Sequence, residues 1–139
     1  MEIKIMDYNE FKKYVYWLGK FIPESMQKEA IEYLEMCDDE YIPYIIDIYN
    51  GHTWDNALKV VNKIGYPKNK EAIESILWLF QDVNWSTTEL ALDTVKKIYD
   101  NEPNLVIKEI EKVNQLAEKN NDELWSEGLL WLKRRLNII

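Results

Sequence analysis

The residue types that usually perform nucleophilic or metal chemistry are scarce in this chain. His52 is its only histidine and Cys37 its only cysteine. A Ser-His-Asp or Cys-His arrangement would have to be built on His52, and nothing in the sequence places Cys37 or a serine beside it. His52 lies in "NGHTWDN", which reads as a solvated turn. A zinc site needs several Cys or His ligands, and a di-iron bundle needs Glu-x-x-His pairs; the sequence holds neither set. Gly19, Gly51, Gly65 and Gly128 stand apart, so no phosphate-cradling loop is expected. Cys37-Asp38-Asp39-Glu40 has the donors for a hard cation, yet acids there also suit the start of a helix at Tyr41 and Pro43. Carboxylate pairs abound, but helical surfaces bring such pairs together by chance.

One stretch still asks for a purpose. "LFQDVNWSTTELALDTV", from Leu79 to Val95, places Asp82, Asn84 and Trp85 within four residues. Ser86-Thr87-Thr88-Glu89 has the pattern of a capping box, with Ser86 as N-cap and Glu89 reaching back. Trp85 and Leu90 then have hydrophobic-staple spacing, and Asn84 suits the turn before them. Asp82 falls at the end of the preceding helix, where the dipole disfavours an anion. No catalytic residue, metal ligand or cofactor is expected. The alternative reading is a carboxylate pocket near Asp82 that binds or hydrolyses a small molecule.

Helical spacing surrounds that stretch almost everywhere. A segment over roughly 7–20 carries Phe11, Val15 and Leu18, with Asp7 and Glu10 at capping-box spacing. One kind of helix then repeats a small residue followed by a large apolar one: Ala30-Ile31, Ala57-Leu58, Ala91-Leu92 and Gly128-Leu129. Between the copies lie stripes at i, i+3, i+4, i+7: Ile42, Ile45, Ile46 and Tyr49, then Ile73, Ile76, Leu77 and Phe80. Pro23, Pro43 and Pro103 sit where helices should start, and Gly65 before Pro67 reads as a stop. A two-helix unit recurring every ~30–40 residues is the pattern of an α-solenoid. The expected fold is all-α: a single domain over 1–139, built as a short solenoid of HEAT-like antiparallel hairpins with about eight helices. A closed bundle of the same hairpins is the structural alternative. Corners recur as well: Thr53-Trp54-Asp55 and Asp122 through Trp125 each place a capping residue beside a Trp. Trp54, Asn84, Trp85, Ser86, Glu89 and Trp125 are therefore read as structural corner residues.

The run "ILWLFQDVNW" followed by an amphipathic helix resembles the core of an uncharacterised bacterial family of HEAT-like domains. Its members typically read Leu-Leu-Glu-Trp-Leu-Gln-Asp-Met-Asn-Trp-Pro, with an Asp-Asp-x-Trp element before the last helix. The matching positions are Leu77, Trp78 or Leu79, Gln81, Asp82, Asn84 and Trp85, then Asp122 and Trp125. The resemblance covers roughly residues 65–136. Ser86 stands where the family has Pro, and Leu124 lengthens the spacing before Trp125. The family has no established activity, so the resemblance implies a fold and not a reaction.

Charge and aromatic content point away from nucleic acid and toward protein. The net charge is −8. From Glu24 to Asp55 there are nine acids against the single base Lys28, and the remainder is neutral. Nucleic-acid binding needs basic residues to neutralise phosphates, so this balance argues against it. The acidic window is either a solvated face or a surface complementary to a basic partner. No apolar run reaches the ~20 residues of a membrane helix. One cysteine and no leader-like N-terminus fit the cytoplasm. Six Trp and nine Tyr are many for 139 residues. Tyr41, Tyr44 and Asp47 fall off one stripe, and Trp78, Gln81 and Asp82 off the next; in a solenoid both groups line one surface. Tyr and Trp dominate binding hot spots, although neighbouring helices can also cover them. The expected function is a non-enzymatic protein-interaction module contacting its partner through those six residues. One concrete form is an immunity or inhibitor protein for a basic toxin such as a nuclease.

Overall fold

In the computed structural model, which describes residues 7–83 and 86–138, the chain is all-helical, with no strand among the described residues. Among the described residues seven α-helices follow in order: α1 Tyr8–Trp17, α2 Glu24–Leu34, α3 Trp54–Ile64, α4 Ile73–Trp78, α5 Thr87–Asn101, α6 Pro103–Lys119 and α7 Glu123–Arg135. Short 3-10 turns occupy Asp39–Tyr44, Gly51–Thr53, Lys68–Ala72 and Leu79–Gln81. No helix of the described residues is long and apolar enough to cross a membrane. Two compact units divide the chain, up to Ala72 and from Ile73 onward.

In the first unit α1 packs on α2, α2 on α3, and the turn 39–44 on the turn 68–72. The core is made by the residues whose spacing marked them: Phe11, Val15, Leu18, Leu34, Ile42 and Leu58 are all buried. Asp7 caps α1, its carboxylate accepting from the Asn9 N–H at 3.4 Å. Glu10 does not complete the box; it accepts a hydrogen bond from Tyr33 on α2 instead. Gly65 ends α3 at φ 76°, a backbone state that costs glycine little.

One stripe fails. Tyr49 was expected inside with Ile42, Ile45 and Ile46, yet it is 90% exposed. The segment is not an α-helix: a 3-10 turn ends at Tyr44, and the Asp47 carboxylate accepts from the Tyr49 N–H at 3.0 Å. That side-chain turn replaces the helical bond and swings Tyr49 out.

In the second unit α4 packs on α6, α5 on α6, α6 on α7, and the turn 79–81 on α7. Ile73, Ile76, Leu77 and Phe80 are buried as their spacing requires, with Val95, Ile98, Val106, Ile110, Leu129 and Leu132. The corner at 122–125 works as a cap: Asp122 accepts from the Trp125 N–H at 3.1 Å. Trp125 is buried, donates its indole N–H to the Leu77 carbonyl at 3.1 Å, and lies 4.5 Å from the Trp78 ring. Gly128 is buried where α7 meets the Phe80 carbonyl, with no room for a Cβ.

The capping box at Ser86 is not made. Ser86 occupies the N-cap of α5 with helical dihedrals and no side-chain capping bond. Glu89 reaches Arg135 of α7 at 3.6 Å, while the Thr88 hydroxyl donates to the Asp82 carbonyl at 3.4 Å. Thr88, rather than Ser86, ties the helix to the preceding turn. The readings made for Asn84 and Trp85 lie outside the described residues. At the corner of α3, Thr53 makes no capping bond; its hydroxyl donates back to the Asn50 carbonyl at 2.8 Å. Trp54 secures that corner by donating its indole N–H to the Asp47 carbonyl at 2.8 Å.

Candidate interaction surface

The six residues expected to meet a partner divide between the units and differ in character. Tyr41 is half-buried and stacked on Phe11 at 4.7 Å, so it is spent on packing. Tyr44 is exposed, at 65%. Asp47 is half-buried and uses its carboxylate to hold Tyr49. In the second unit Trp78 is half-buried against Trp125, Gln81 is half-buried, and Asp82 is exposed at the end of the turn 79–81. Tyr44 and Asp82 therefore present their side chains most openly.

The larger exposed aromatics are others. Phe21 is 78% exposed on the loop between α1 and α2. Hydrogen bonds from several elements hold that loop. The Lys20 N–H donates to the His52 carbonyl at 3.0 Å. Gln27 donates to the Ile22 carbonyl at 2.6 Å, and Asn56 donates to the Leu18 carbonyl at 2.8 Å and to the Gln27 side-chain oxygen at 2.9 Å. The Phe21 ring also meets the His52 ring edge-on at 4.9 Å. Phe21 is thus offered to solvent on a fixed backbone beside the turn that exposes Tyr49. A preorganised anchor saves the ordering cost of binding. Neither residue was expected from sequence to meet a partner: Phe21 lies in no stripe, and Tyr49 fits one expected to be buried.

Electrostatics at this end are acidic. Burial first, then the hydrogen bond to Glu10 and its charge, raise the Tyr33 phenol from 10.0 to about 12. Burial, then Asp38 and Asp39, raise the Cys37 thiol from 9.0 to about 11. A thiol held neutral is a poor nucleophile. Tyr41 is raised by burial and by Glu40 and Asp38. Among the described residues no group of three or more His, Cys, Asp or Glu could hold a metal ion. Asp39 of the "CDDE" run pairs with Lys68 at 3.4 Å.

These shifts fix an alkaline dependence. Tyr33 and Cys37 both ionise at higher pH in the fold than in the unfolded chain, so the fold binds more protons between the two values. Their stabilisation is complete below about pH 9 and is lost as pH rises through about 11 to 12. Tyr33→Phe should make the decline above pH 10 shallower when helicity is followed by circular dichroism. An unchanged decline would sever it from Tyr33.

Against family models, curated proteins and solved structures, the chain gives no match.

Proposed function

We propose that this chain is a non-enzymatic interaction module that binds a basic protein through the acidic, aromatic surface of its first unit. One observation carries the reading. Every exposed aromatic side chain among the described residues lies within 7–72, the stretch that also holds the nine-acid window. Isolated exposed apolar residues are ordinary, but several large ones on one acidic unit support an interaction surface. Phe21, Tyr44 and Tyr49 supply the apolar anchors, and Glu24 through Asp55 supply the charge that steers a basic partner into place. An inhibitor of a basic toxin has the required chemistry. The scaffold beneath we read as a short HEAT-like stack, akin to the bacterial family whose core motif the chain resembles. The burial of Ala30, Ala57, Ala91 and Gly128 supports this. A small-angle scattering profile fitted by a sphere-like particle would count against the stack.

Affinity capture from the source organism's lysate tests the function, using wild type and a Phe21→Ala/Tyr49→Ala variant side by side. A basic protein retained by wild type at low salt, released by added salt and lost with the variant is the expected result. Retention of the same proteins by both baits would overturn it.

A further inference from the structure

Lysines near α1 lie over aromatic rings. Lys12 stands 5.4 Å from the Tyr8 ring centre and Lys20 stands 5.3 Å from that of Phe21. Lys13 differs from both, because it lies over two rings at once. Its Nζ is 4.6 Å from the centre of Tyr14 and 5.0 Å from that of Trp17. Those two rings meet at 79° with centres 5.1 Å apart, which makes a corner with an electron-rich face on each side. Tyr33 stacks on Tyr14 at 4.1 Å and holds the Glu10 carboxylate by a hydrogen bond. Tyr14 is buried and set by its neighbours, whereas the Lys13 side chain is exposed and reaches the rings on a flexible stem.

We propose that the Tyr14–Trp17 corner is a cation-binding site, occupied in the free protein by Lys13 and taken over in the complex by a lysine or arginine side chain of the basic partner. This rests on the function proposed above. Two perpendicular rings, one of them stacked on the Tyr33 that holds the Glu10 carboxylate, are suited to an alkylammonium or guanidinium group. The acidic window from Glu24 to Asp55, which alone sums to the net −8 and has Lys28 as its single base, favours a cationic occupant over an apolar one. Lys13 acts as an internal competitor, so its removal should strengthen binding, the opposite of what removing a contact residue does.

Tetramethylammonium chloride is the probe, with sodium chloride as the ionic control and the Trp17 indole N–H resonance as the readout. Lys13→Ala should show a saturable shift of that resonance at a concentration about five-fold lower than wild type. Lys13→Arg, which refills the corner, should behave like wild type. Absence of a saturable shift in Lys13→Ala beyond the sodium chloride control would overturn the site. An unchanged melting temperature in both variants shows that the fold is intact. A saturable shift together with failure of the capture experiment would leave the corner standing and remove the basic partner. Capture that succeeds without the shift would do the reverse.

Discussion

Gly128→Ala lowers the stability of the second unit by about 3 kcal/mol, in spite of alanine's better helix propensity. A Cβ at this position meets the Phe80 carbonyl, and Val83 closes the space at 3.4 Å. The obstacle is backbone, so no rotamer change relieves it. Either α7 moves off the turn 79–81 or that turn shifts, and both disturb the buried Phe80 and Leu129. Propensity alone predicts a gain of about 1 kcal/mol at an exposed helical glycine, so the sign of the change decides between the two accounts. The measurement is thermal unfolding followed by circular dichroism. A fall of about 10 °C is expected, and a midpoint at or above that of wild type would show that α7 does not approach Phe80 so closely.

Trp125→Ala should cost about 4 kcal/mol, within the range for a fully buried tryptophan. Trp125 is 2% exposed, and its removal leaves a cavity between α4 and α7. It also strands the Leu77 carbonyl, which accepts the indole N–H, and strips Trp78 of the ring it packs on. Trp125→Phe separates these contributions. It keeps most of the apolar volume but not the donor, so it should lose about 1–3 kcal/mol, the cost of an unpaired buried acceptor. Denaturant unfolding of the two variants checks the order. Equal losses would mean that the hydrogen bond carries the effect and the packing little.

Both sites were visible in the sequence, though for different reasons. The small residue at Gly128 stood out because it repeats the position of Ala30, Ala57 and Ala91. What it makes room for, a carbonyl from a turn 48 residues earlier in the chain, is a tertiary fact that periodicity does not encode. Trp125 was read as a corner residue, and Asp122 does cap its helix. Its indole bond to Leu77 is again long-range. The apolar stripes of α1, α3, α5 and α7 were legible because helical spacing and burial agree there. Spacing misled at Tyr49, where a local Asp47 side-chain bond competes with the helix and wins. It misled at Ser86 too, where Thr88 and Glu89 find partners outside the capping box. Phe21 was missed because a fixed loop leaves no periodic trace; the Lys20 bond to His52 and the Gln27 and Asn56 bonds to the flanking carbonyls, which hold the loop, are tertiary facts. Tyr41 looked free by the same logic that hid Phe21, since its partner Phe11 lies thirty residues away in sequence.

The claim that matters most is that the first unit binds a basic protein through Phe21, Tyr44, Tyr49 and the acids around them. Titration calorimetry of the captured partner against wild type, Phe21→Ala/Tyr49→Ala and Asp82→Asn tests it most directly. The double variant should weaken binding at least a hundred-fold, since anchor residues commonly carry about 2 kcal/mol or more each, and wild-type affinity should fall as salt rises. Asp82→Asn should bind as wild type does. Full affinity in the double variant, or its loss in Asp82→Asn alone, would contradict the account.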